Sequence, residues 1–71
     1  MNDIFTERFS EELRLCGISQ TEFAKSIGIS KQCVNDFKNG RSFPSIQTLR
    51  LICKQLDTSA DYLLGLSDKI R

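Results

Sequence analysis

Within Ser30 to Gly40, SKQCVNDFKNG, stand two ammonium side chains, three primary amides and one carboxylate. On a helical projection of about 100° per residue, Cys33, Val34 and Phe37 fall near 200°, 300° and 240° from Lys31. Lys31, Gln32, Asn35, Asp36 and Asn39 cover roughly 0° to 140° of the same projection, so the two sets do not overlap. The first set has a core to face. The second is a dense array of hydrogen-bond donors and acceptors, suited either to water or to a partner offering a matching array.

Other chemistry is scarce. The chain has no histidine, which removes the commonest general base and with it Cys–His and Ser–His–Asp catalysis. Carboxylates such as Glu11 and Glu12 read as solvated helix surface. Cys16, Cys33 and Cys53 are spaced 17 and 20 residues apart without a CxxC pair, so no zinc ligand set forms and free thiols in a reducing compartment are expected. No enzyme, metal, cofactor or small-molecule ligand is expected.

The formal charge of +1 conceals a division along the chain. Residues 25–54 hold Lys25, Lys31, Lys38, Arg41, Arg50 and Lys54 against Asp36 alone, a balance of +5, while residues 1–24 sum to −3 and residues 55–71 to −1. A basic middle with acidic flanks is the footprint of a polyanion-binding surface. No apolar run approaches the roughly eighteen residues that span a bilayer, and no signal-peptide pattern opens the chain, so a cytoplasmic location is expected.

The elements that must carry these side chains are all helical. Phe5, Phe9, Leu13 and Cys16 share one arc of a first helix over about residues 3–16, stopped by Gly17. Ser19 and Glu22 form a capping-box pattern for a second helix with Phe23, Ala24 and Ile27 on one face, ended by Gly28. Ser30 caps the third helix and Gly40 closes it. The loop RSFPS follows, its Pro44 blocking an early helical restart. Ser45 caps a fourth helix whose Ile46, Leu49, Ile52, Cys53 and Leu56 share a face, and a short fifth runs from Ser59 to Leu64 before Gly65. Residues 1–71 read as one all-α, compact five-helix domain. Only Gly28, Ile29 and Ser30 join helices two and three, so these must cross at a steep angle, which makes residues 20–39 a helix-turn-helix.

At this point SQTEFAKSIGISKQCVNDFKNG resembles the Cro and phage-repressor type regulators, the XRE family, with its lambda-repressor-like fold. The matching residues are Gln20, Phe23, Ala24, Gly28, Ile29, Val34, Phe37 and Gly40, and PSIQTLRLICKQLDTSADYLLGLSD is similar to the family's fourth and fifth helices. The resemblance spans about residues 5–68. One departure stands out. Where the family commonly pairs an Arg late in helix one with a Glu near the end of helix three, this chain has Leu13 and Lys38, with Arg14 one residue on as an alternative partner.

The resemblance implies sequence-specific binding of double-stranded DNA by a transcriptional regulator, most simply a repressor of phage or mobile-element type, bacterial or phage-encoded. The third helix then enters the major groove, and a dimer sets two such helices about 34 Å apart on a palindromic operator. By family position Lys31, Gln32 and Asp36 contact bases, with Asn35 between them; Lys31 equally suits a phosphate, and Asn35 a bond within its own helix. Gln suits adenine N6 and N7, Lys suits guanine O6 and N7, and Asp suits cytosine N4, although Asp36 equally suits restraint of a neighbouring Lys or Arg. Gln20, Ser30, Lys38, Asn39, Arg41 and Ser42 are the expected partners of the DNA backbone. Ile4, Leu15, Leu51, Leu66 and Ile70 lie off the core arcs, and Leu64, Leu66 and Ile70 cluster where this family often dimerises, so a weak homodimer is expected. Two rival readings stay open: an antitoxin or antirepressor-like module holding a protein partner, and a restriction-modification controller protein of the same fold.

Overall fold

The computed structural model describes residues 3–71; of the span 1–71 read as one domain, residues 1 and 2 lie outside the described part. Five α-helices follow one another: α1 (Ile4–Leu15), α2 (Gln20–Ile27), α3 (Lys31–Asn39), α4 (Ile46–Leu56) and α5 (Ala60–Leu64). Each begins where a short oxygen-bearing side chain in extended backbone accepts from an amide that has no carbonyl partner in the first turn. Asp3 accepts from Phe5 N–H at 2.8 Å, and Ser19, Ser30, Ser45 and Ser59 from Glu22, Cys33, Thr48 and Tyr62 at 3.0 to 3.2 Å. A cap of this kind is worth about 1 kcal/mol, which counts in helices this short. The Ser19 cap is half of the expected box: among the described residues Glu22 returns no side-chain bond to Ser19.

The core is built around Phe9. Its fully buried ring stacks on Phe5 at 5.4 Å and meets Phe23 of α2 at 5.9 Å and Phe37 of α3 at 6.1 Å. Leu13, Ala24, Ile27, Val34, Ile52 and Leu63 complete it, so every helix contributes at least one buried apolar residue. This core presses α3 onto α1 and α2 through Val34 and Phe37, which turns its remaining sides outward.

Between α2 and α3 the chain reverses at Gly28, whose φ of 76° is a left-handed conformation that glycine takes without a steric penalty. Gly28 N–H donates to the Ala24 and Lys25 carbonyls and Ile29 N–H to Ala24, closing α2, while Ile29 packs on the core.

Three side chains leave the faces expected of them. Cys16 caps the end of α1, exposed, with its thiol on the Leu13 carbonyl at 3.0 Å, because the chain turns away there. Cys33 is exposed, since the buried arc of α3 is only as wide as Val34 and Phe37. Ile46 is 87 % exposed: as the first residue of α4 it precedes the turn that reaches the core, where Ile52 is buried and Leu49, Cys53 and Leu56 pack partly. Ile4, Leu15, Leu51, Leu66 and Ile70 are exposed, as their places off the arcs predict.

Candidate nucleic-acid interface

With Val34 and Phe37 committed to the core, Lys31, Gln32 and Asn39 are exposed and Asn35 and Asp36 half-buried on α3. The five lie on one helix, so their backbone positions are mutually rigid. Their side chains are not equivalent. Gln32 donates from Nε2 to Asp36 Oδ1 at 2.9 Å, and the same carboxylate oxygen lies 3.7 Å from Arg41 Nη1. The Arg41 N–H in turn donates to the Asp36 carbonyl at 3.0 Å, so the residue after the helix stop is fixed twice to one turn of α3. Asp36 thus lies beside a neighbouring cation, as one of the two roles open to it in the sequence requires.

Asn39 folds its amide back onto the Asn35 carbonyl one turn earlier at 2.9 Å, which ties the side chain to its own helix. The Lys31 ammonium, the Asn35 amide and the Ser42 hydroxyl have no side-chain partner among the described residues and remain available. Ser30 uses its oxygen to accept from Cys33 N–H, which leaves its own O–H free to donate.

Lys38 and Gln20 meet away from this arc. Lys38 Nζ donates to Gln20 Oε1 at 3.2 Å, and Gln20 Nε2 donates to the Lys31 carbonyl at 3.5 Å. Leu13 is buried at the position where the resemblance places an Arg. Arg14 does not reach α3; it pairs with Glu11 at 2.6 Å, whose hydrogen bond and charge hold its guanidinium even further above the usual arginine range.

Overall, the surface is a short helix carrying donors and acceptors, with Lys31 and Arg41 near its two ends and a helix N-terminus at Ser19 and Gln20 beside it. Such a surface can bind a polyanion through its cations and free amides and can match a fixed pattern of hydrogen-bonding edges. The helix-turn-helix family model matches residues 11–63, more than half of the chain. The chain belongs to the helix-turn-helix family. Its fold is similar to that of the P22 c2 repressor protein, solved in complex with a synthetic operator. The TM-score is 0.84 and identity 24 %, with 94 % of this chain and 100 % of that one covered. No curated protein sequence matches significantly.

One organising residue of this helix-turn-helix protein carries no local signal in the sequence. Arg8 lies over the Tyr62 ring at 4.1 Å and donates from Nη1 to the Tyr62 and Ser67 carbonyls at 2.6 and 2.8 Å, and from Nη2 to Asp68 at 3.2 Å. All its partners lie more than fifty residues away in the chain. They fold the C-terminal segment against α1 and α5, where Ser59 Oγ also donates to the Lys69 carbonyl and Arg71 pairs with Asp57 at 2.8 Å. On this end Leu64 and Leu66 are 47 % and 75 % exposed and Ile70 37 %. Leu64 also borders a groove of about 310 Å³ lined by Phe5, Phe43, Pro44 and Leu49.

Proposed function

We propose that the protein is a sequence-specific double-stranded DNA-binding regulator of the phage-repressor kind, with α3 in the major groove. The observation that carries this reading is the outward arc of Lys31, Gln32, Asn35 and Asp36 on a helix pinned by Val34 and Phe37. Lys31 and Gln32 present groups that pair with base edges. Ser30, Arg41 and Ser42, with the N-terminus of α2, supply the donors for phosphates on either side of the inserted helix. Lys38 and Asn39 contribute after exchanging their internal partners for phosphate oxygens. A helix-turn-helix neighbour of the same fold solved with operator DNA supports the choice of ligand.

The binding unit is a weak homodimer on a palindromic site, joined through Leu64, Leu66 and Ile70. The reading assigns the chain no catalytic role and places it in the cytoplasm, where a bacterial or phage regulator meets DNA; no helix of the described residues is long and apolar enough to cross a membrane. Selection from randomised duplexes, followed by titration over salt concentration, tests this. A two-fold motif and an affinity that falls with salt are expected. A pool without a motif, bound equally at all salt concentrations, would refute it.

A second reading draws on a different surface. Phe43 is 57 % and Ile46 87 % exposed, an aromatic and an aliphatic group of the kind that anchor protein partners. A module that holds another protein through them would return no duplex motif in the same selection.

A further inference from the structure

We propose that Asp36 is a positioning residue that sets base preference through Gln32, holding its amide in the one orientation that favours adenine over guanine. The inference rests on the DNA-binding reading above. A carboxylate only accepts hydrogen bonds, so the 2.9 Å contact between Asp36 and Gln32 requires the amide nitrogen, not its oxygen, to face Asp36. One N–H is thereby consumed. With the N–H anti to Oε1 on Asp36, the amide keeps Oε1 and its second N–H side by side, an acceptor next to a donor.

Adenine shows the complementary pair in the major groove, the N7 acceptor beside the N6 amino donor, whereas guanine shows two acceptors, N7 and O6. A free glutamine amide can rotate to place both of its N–H groups on those two acceptors. One held by Asp36 cannot do so without breaking the bond. Asp36 is itself held, since its carboxylate is only 28 % exposed and lies within an ion-pair distance of Arg41, whose backbone is tied to the same turn. The carboxylate therefore presents little free edge of its own to a base, and its negative charge lowers affinity for every DNA sequence alike.

The test is selection and titration with wild type, Q32A, D36A, D36N and the Q32A/D36A double variant, each checked for native helicity. D36A is expected to reduce the adenine-over-guanine preference by roughly two- to fivefold, the scale of one surface hydrogen bond. The loss should fall at the same base pair that Q32A relaxes, and D36A should add nothing there in the Q32A background. D36N removes the charge and offers a donor as well as an acceptor, so it should tighten binding to all sequences while keeping only part of the preference. If D36A alters a different base pair, Asp36 reads a base itself and the inference fails while the DNA reading stands. If D36A leaves the preference intact, or Q32A leaves the motif unchanged, the inference also fails. A wild-type pool without any motif overturns the DNA reading and this inference together.

Discussion

The Lys38 ammonium donates to the Gln20 amide oxygen at 3.2 Å, while the nitrogen of that amide donates to the Lys31 carbonyl at 3.5 Å. One side chain at the start of α2 thus touches both ends of α3. The charge that Leu13 cannot answer on α1 is met by a neutral amide on the neighbouring helix, and the cation stays in reach of solvent. The donor is an ammonium that stays in reach of solvent, so water replaces the amide oxygen readily and the bond contributes little to folding. Lys38→Met is accordingly expected to shift unfolding free energy by less than about 1 kcal/mol in urea titration. On the proposed DNA-binding reading it should nevertheless weaken binding to all duplexes, because a cation is lost from the proposed interface.

Arg41 offers a cleaner electrostatic probe, since its guanidinium is exposed and only loosely paired with Asp36 at 3.7 Å. Arg41→Ala should lower affinity for specific and random duplexes by similar factors and reduce the slope of log affinity against log salt by about 1. A change confined to a base pair other than the one that Gln32→Ala relaxes would instead make Arg41 a reader.

Much of this architecture is legible in the chain because its determinants are local. Serine caps, glycine stops and the arcs of Phe5, Phe9 and Leu13 or Phe23 and Ile27 act within a turn or two, and the structure places them as their spacing predicts. Residues at the margin of an arc are different. Cys33 and Ile46 have the polarity of core residues, yet whether they meet a neighbour depends on where the other helices end. Non-local polar partners are harder still. The bond from Gln32 to Asp36 follows an i, i+4 spacing that the sequence displays, whereas nothing near Arg8 announces that two backbone carbonyls 54 and 59 residues on will converge on it.

Arg8 yields a prediction on stability. Its guanidinium satisfies the Tyr62 and Ser67 carbonyls at once and covers the Tyr62 ring, with the side chain 20 % exposed. A lysine keeps the charge but not the planar fork. Arg8→Lys is therefore expected to cost about 1–3 kcal/mol in denaturant unfolding and to speed amide hydrogen exchange over residues 66–71. Equal exchange in that segment would show that Arg8 does not hold it.

The three thiols should react in two classes. Cys16 and Cys33 are exposed, whereas burial pushes the Cys53 thiol above its ordinary range, so less of it is thiolate at any given mildly alkaline pH. Titration with a chromogenic disulfide reagent is expected to show a fast phase from Cys16 and Cys33 and a slow one from Cys53 that denaturant makes fast. The slow phase should keep accelerating to a higher pH than a free cysteine does, since its thiolate appears later as pH rises. A single phase would contradict the packing of Cys53 on the core.

Two glycines with almost the same backbone separate conformational strain from steric clash. Gly28 and Gly65 have φ of 76° and 81°, yet a Cβ at Gly28 would meet nothing within 4 Å, while one at Gly65 would lie 2.8 Å from Ile4 Cγ2 and 3.1 Å from Cδ1. Alanine at either position suffers the left-handed penalty, about 1–2 kcal/mol. Gly28→Ala is expected to cost that alone. Gly65→Ala should cost a further 1–3 kcal/mol or so, unless Ile4 can move aside. Ile4 is 40 % exposed, so trimming it removes little core, and in an Ile4→Ala background the excess cost of Gly65→Ala should vanish. Thermal or urea unfolding of the four variants checks this. Equal losses for the two glycine substitutions in the wild-type background would mean that Ile4 moves aside without cost.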